Sequence, residues 1–170
     1  KNAVILLHGY GGDGKDISML SLSWKRHMPN TVFICPNGHE TCVVNPAGYQ
    51  WFDLSKEDPN YILNQSIKAE NKIKQFIEEI KKEFNLIHNQ ICLSGFSQGC
   101  MMSLNVGLTS EEKFLCIVGF SGKIIDQNNL KERINNSTDT LLIHGDVDQV
   151  VPSIHLLEAK DFLIRNSVEV

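Results

Sequence analysis

The segment Gly95-Phe96-Ser97-Gln98-Gly99 has the form G-x-S-x-G and stands between the run Gln90–Leu93 and the apolar run Met101–Leu108. A serine on a sharp strand-to-helix turn presents its hydroxyl clear of the backbone, which is the placement a covalent nucleophile needs. The glycines fit such a turn, because side chains two residues either side of the serine would clash where the two backbones meet. Downstream, Thr140–His144 runs into Gly145-Asp146-Val147-Asp148-Gln149-Val150-Val151-Pro152. A carboxylate just past a strand, on the same sheet edge as Ser97, is placed to orient a histidine that serves the serine as base. Taken singly, Asp146 and Asp148 read equally well as loop formers ahead of a helix opened by Pro152.

The glycine-rich stretch His8-Gly9-Tyr10-Gly11-Gly12-Asp13-Gly14-Lys15-Asp16 offers rival chemistry. From Gly9 it satisfies G-x-G-x-x-G, the dinucleotide fingerprint, but that use needs a carboxylate near the end of the next strand, and Thr31–Cys35 leads into Pro36-Asn37-Gly38. It also approaches G-x-x-x-x-G-K-[ST], yet Asp16 replaces the magnesium-binding hydroxyl and Asp13 adds a second negative charge to the would-be phosphate cradle. Asp16 is instead expected to cap the following helix. Cys35, His39 and Cys42 fall close together, but no fourth ligand lies near and the spacing fits no common structural zinc site, so no metal is expected.

These residues need a scaffold that delivers them to one edge. Short β-rich apolar runs at Ala3–Leu7, Thr31–Cys35, Gln90–Leu93, Phe114–Phe120 and Thr140–His144 read as buried parallel strands, being apolar throughout instead of alternating. Between them lie helical patterns near Ile17–His27, Tyr61–Phe84, Gln98–Gly107 and Ser153–Arg165. The longest has Ile62, Ala69, Ile73, Phe76, Ile77, Ile80 and Phe84 at helical spacing, with Asp58-Pro59 as its start signal. The alternation predicts one α/β domain over residues 1–170, a mostly parallel sheet with helices on both faces. The stretch from Pro36 to Pro59 has no sustained period, and loops of that length in compact domains are commonly functional. Its Trp51 and Phe52 either form a substrate wall or pin the loop to the core.

The chain has 170 residues, 42% of them hydrophobic and 21% charged, a composition that excludes disorder and coiled coil as its main description. The net charge of −4 comes without a lysine–arginine block that could track a phosphate backbone, so nucleic acid is not an expected partner. No run approaches the ~20 apolar residues of a membrane-spanning helix. Cys35, Cys42, Cys92, Cys100 and Cys116 are odd in number and contain no C-x-x-C pair, which fits a reducing compartment, in expectation the cytoplasm.

The segments LLHGYGGDGKD, ICPNG, QWFDL, LSGFSQGCMMSL and IHGDVDQVVP, in this order and spacing, resemble the phospholipase/carboxylesterase family of α/β-hydrolases, which includes the acyl-protein thioesterases. The resemblance covers essentially the whole chain. It implies the α/β-hydrolase fold and a serine hydrolase of carboxylic esters or thioesters, needing no cofactor and acting on small-molecule or lipid acyl esters or on acylated protein. By the same resemblance Ser97 matches the nucleophile and Asp148, not Asp146, the triad acid. Tyr10 and Gln98 match the positions whose backbone N–H groups form the oxyanion hole. Cys100 departs from the glycine common there in the family and is read as a small core thiol.

The triad histidine of the family lies in a loop after the next strand, and none of the six histidines here matches it. His155 alone follows Asp148, in the first turn of a helix. Lys1 is not an initiator and Ser167–Val170 reads as the opening of a sixth strand, so the histidine is expected roughly 6–12 residues beyond Val170. The alternative class is a hydrolase-fold binding module without catalysis. Since the glycine-rich loop is read as serving an oxyanion, titration calorimetry with ATP or NAD at millimolar concentration is expected to show no binding heat; stoichiometric binding of either would restore a nucleotide reading.

Overall fold

The computed structural model describes residues 1–170. In chain order the elements are strand β1 (Asn2–Leu7), helix α1 (Gly14–Trp24), β2 (Thr31–Ile34), a two-residue-per-strand hairpin of β3 (Glu40–Thr41) and β4 (Tyr49–Gln50), α2 (Pro59–Phe84), β5 (Ile91–Phe96), α3 (Gln98–Thr109), β6 (Cys116–Phe120), α4 (Gln127–Arg133), β7 (Thr140–Ile143) and α5 (Ile154–Arg165). Five strands form one parallel sheet in the order β2-β1-β5-β6-β7, and β3–β4 stands apart as an antiparallel pair. Parallel neighbours require crossovers, and these put all the strands' carboxyl ends, with the loops after β1, β5, β6 and β7, on one edge.

Alternate residues of β1 and β5 divide between two cores. Ala3, Ile5, Leu7, Ile91 and Leu93 pack with Ile73 and Ile77 of α2 and Met102 of α3, while Val4, Leu6 and Cys92 face Ile17 and Trp24 of α1. A third cluster joins Leu104 and Leu108 of α3 to Ile117, Leu130 and Phe162. Cys100 sits there too, buried as expected. Helices lie on both faces as the alternation predicts, α1 on one and α2 and α3 on the other, while Leu141 and Ile143 of the edge strand β7 stay 54% and 45% exposed on the α1 side.

Several local expectations need correcting. The cap of α1 is Asp13, not Asp16: Asp13 is extended and its carboxylate accepts the Asp16 N–H at 2.7 Å. The strand expected at Gln90–Leu93 begins at Ile91 and runs on through Ser94, Gly95 and Phe96, an end hidden in the sequence because a glycine there reads locally as a loop. Ser167–Val170 forms no strand; Ser167 turns at φ 60°, Val168 anchors in the core, and Glu169 accepts a single bond from the Thr140 N–H at 2.9 Å. Helix α4 escaped the periodic pattern since only Leu130 of its seven residues is buried.

A buried carboxylate ties three helices together. Glu70 of α2, its side chain 3% exposed, accepts bonds from Lys74 at 2.9 Å, from the Thr109 hydroxyl at the end of α3 at 2.7 Å, and from Arg133 of α4 at 3.0 and 3.1 Å. Burial pushes its carboxyl up, but the bonds from Lys74, Thr109 and Arg133 outweigh that and hold it below the ordinary range. Stability from this depressed value is full above the unfolded carboxyl value of about 4.3 and drains away as pH falls through the lower folded one. Glu70→Ala is expected to cost roughly 2–3 kcal/mol at pH 7, short of the loss for a fully buried pair because Lys74 and Arg133 keep contact with water. Glu70→Gln should in addition flatten the acid limb of stability; urea midpoints at pH 7 and pH 3 check both, and a wild-type acid limb in Glu70→Gln would contradict the assignment.

Candidate active site

Ser97 occupies the turn between β5 and α3 with φ 53° and ψ −113°, a backbone state that non-glycine residues rarely hold. It is kept there by its N–H, which donates to the Phe120 carbonyl at 2.8 Å, and by its carbonyl, which accepts from Met101 at 3.1 Å. The glycines either side are sterically obligatory. A Cβ on Gly95 would lie 2.3 Å from the Gly99 carbonyl, and one on Gly99 would lie 2.1 Å from the Leu7 carbonyl oxygen. The second contact presses the start of α3 directly onto the end of β1, where the glycine-rich loop begins.

That loop makes a turn in which the Gly12 N–H donates to the Gly9 carbonyl at 3.0 Å, with Gly11 at φ 77° in the third position. The β3–β4 hairpin grips it: Gly11 N–H donates to Tyr49 O at 2.9 Å, Tyr49 N–H to Gly12 O at 2.8 Å, and the Asn45 amide to Gly11 O at 2.8 Å. The Tyr10 N–H finds no backbone or side-chain acceptor in the protein, and the Gln98 N–H, first in α3, has none within its helix. Burial and the neighbouring Cys42 thiol push the Tyr10 phenol up, so its ring is neutral.

A cleft of about 630 Å³ opens over this edge and is lined by Gly9, Tyr10, Ser97 and Asp148, with apolar walls from Phe52, Leu54, Ile62, Met101, Ile125 and Val151. Asp148 accepts from the N–H groups of Val151 and Val150, both at 2.9 Å and both to Oδ1, and these bonds hold its carboxyl below the usual range. Its Oδ2 has no backbone donor. Asp146 lies outside the cleft, exposed in the same loop. Ser121, a second serine at positive φ, 48°, also lines the cleft, a feature no sequence pattern announces.

Trp51 is not a cleft wall. It is 3% exposed, and its indole N–H donates to the His8 carbonyl at 2.8 Å, so the reading in which it pins the loop is the one the geometry bears; Phe52 and Leu54 face the cleft in its place. The Gln98 side chain, which no sequence pattern singles out, is fully buried and clamps the same segment: Oε1 accepts from Trp51 N–H at 2.9 Å and Nε2 donates to Phe52 O at 2.6 Å. The one available signal was the rule that a buried indole or amide must find partners.

The phospholipase/carboxylesterase family model matches residues 1–170. The chain belongs to this family. Acyl-protein thioesterase 1 of Saccharomyces cerevisiae is 30% identical over 174 residues, spanning 95% of this chain and 77% of that protein, and its Schizosaccharomyces pombe counterpart is 28% identical over 175 residues, spanning 96% and 75%. The crystal structure of esterase PE8 superposes with a TM-score of 0.95 at 37% identity, covering 99% of this chain and 80% of that one. Bacillus cereus carboxylesterase, at 18% identity and TM-score 0.80, shares the α/β-hydrolase fold over 100% of this chain and 76% of its own.

No histidine of this carboxylesterase-family chain lines the cleft. His144 is the nearest to Asp148, 3.6 Å from Oδ2, but its Nε2 donates to Val151 O at 2.7 Å and its side chain is 1% exposed. His155 is turned to Glu158 on its own helix at 2.7 Å. His8 is committed at both ring nitrogens, His39 lies beside Glu40, and Cys35 and Cys42 fall in separate surroundings, Cys42 against Gly11 and Cys35 in the α1 core.

Gln98→Ala strips two buried backbone groups of their partners, at about 1–3 kcal/mol for each. The variant is expected to lose roughly 2–6 kcal/mol in urea unfolding and to red-shift tryptophan emission as Trp51 loosens. Unchanged stability and emission would show the clamp to be dispensable.

Proposed function

We propose that this chain carries the nucleophile, acid and oxyanion hole of a serine hydrolase that cleaves carboxylic esters or thioesters through an acyl-enzyme. The observation that carries the reading is the strained Ser97 at the strand-to-helix turn, facing across one cleft the Asp148 carboxylate and a loop whose Tyr10 N–H is unspent. Family membership and the likeness to esterase PE8 support the same chemistry.

In this mechanism Ser97 Oγ attacks the acyl carbonyl and passes its proton to an imidazole held between Ser97 and Asp148. The carbonyl oxygen becomes an oxyanion that the Tyr10 and Gln98 N–H groups receive. Collapse expels the alcohol or thiol, protonated by the imidazolium. Water, deprotonated by the same imidazole, then attacks the acyl-serine and releases the acid. The apolar walls suit the acyl part of a lipid or acylated-protein substrate. A histidine outside these 170 residues supplies the imidazole, since none within them lies on the cleft. The unpaired thiols favour work in a reducing compartment such as the cytoplasm.

That same want of a cleft histidine favours a second reading, a hydrolase-fold binding module. The two separate in one experiment on the full gene product. A fluorophosphonate probe should label wild type and leave Ser97→Ala unlabelled, with ester hydrolysis lost in step; Asp148→Asn should keep KM and lose roughly 10⁴ in kcat, as in other triads. Equal labelling of wild type and Ser97→Ala would remove Ser97 from the chemistry, and no labelling of either would support the module.

A further inference from the structure

The mechanism asks the Tyr10 N–H to be aimed before substrate arrives, and the cause of its aim lies one residue back. A peptide unit is planar and trans, so the N–H of Tyr10 and the C=O of Gly9 are opposite ends of one rigid plate. Whatever holds the Gly9 oxygen therefore sets where the Tyr10 hydrogen points. Two groups hold it: the Gly12 N–H at 3.0 Å, and the His8 Nδ1 at 2.7 Å. A carbonyl only accepts, so His8 Nδ1 carries the proton.

The rest of His8 enforces that tautomer. Its Nε2 receives the Gly38 N–H at 2.8 Å, which leaves Nε2 unprotonated and the ring neutral. The residue is 1% exposed, its ring lies 5.0 Å from that of Trp51, and the Trp51 indole holds its carbonyl at 2.8 Å. A buried imidazole with each nitrogen committed cannot serve as the base. We infer that His8 is a positioning residue: through Nδ1–H it fixes the Gly9–Tyr10 peptide plane and so presents the Tyr10 N–H to the oxyanion, an inference that rests on the oxyanion role proposed for that group.

The two nitrogens can be tested apart. Asparagine places an amide near Nδ1 and can still donate to the Gly9 carbonyl; glutamine reaches to Nε2 and can still accept from Gly38; leucine does neither. In the full gene product, turnover of a p-nitrophenyl ester is counted per Ser97 titrated with fluorophosphonate, so unfolded material drops out. His8→Gln and His8→Leu are expected to lose about 100-fold in kcat with KM within twofold, the scale of a misplaced oxyanion donor. His8→Asn should recover most of that loss even where its melting temperature falls below that of His8→Gln. Turnover that follows melting temperature across the three variants, or wild-type kcat in His8→Gln, would overturn the inference while leaving Ser97 in place. Activity surviving in Ser97→Ala would instead overturn the reading on which it rests.

Discussion

The contact on which the site depends is the approach of Gly99 to the carbonyl oxygens of Leu7 and His8, so close that a Cβ would lie 2.1 Å from the first and 2.7 Å from the second. It brings the start of α3 against the end of β1. With that approach Ser97 and the Tyr10 loop share an edge, and the Gln98 side chain, one residue along, can reach the segment Trp51–Phe52. Any side chain at position 99 would separate β1 from α3 and with them the serine from the loop that is proposed to receive its oxyanion. Tight packing here is therefore a geometric requirement of the chemistry as well as a source of stability.

Around that contact, polar groups are spent on holding backbone. Asp148 uses one carboxylate oxygen on Val150 and Val151, His8 uses both nitrogens, and Gln98 uses both ends of its amide. Buried side-chain atoms without a partner are few, Tyr10 Oη, Asn105 Oδ1 and Arg133 Nη2, and on the cleft the Tyr10 N–H is unspent as well. In a cleft with mostly apolar walls an unspent donor interacts more strongly with developing charge than it would in bulk water, because the local dielectric is lower. The strained backbones of Ser97 and Ser121 fit the same picture, since positive φ in serine persists only where surrounding packing over-determines it.

The long aperiodic stretch between Pro36 and Pro59 shows what such a segment can do without regular structure. Its short hairpin grips the glycine-rich loop through Tyr49 and Asn45, its Gly38 sets the His8 tautomer, and its Trp51 and Phe52 divide between core and cleft. The loop is thus a brace for the site as much as a wall of it.

Read alone, the sequence determined the class of fold and the placing of the chemistry along it. Short continuous apolar runs bounded by turn residues read as strands of a covered parallel sheet, the spacing from Ile62 to Phe84 reads as an amphipathic helix, and glycines flanking a serine between strand and helix mark a turn that a side chain does not fit. These are local constraints, written in neighbouring residues. The tertiary structure alone decided which distant side chains meet: that Trp51 turns inward to His8, that Gln98 closes on a segment 46 and 47 positions away, and that Glu70 binds Arg133 across 63. Those outcomes turn on the order and separation of strands in the sheet, a long-range quantity that periodicity and residue type do not carry.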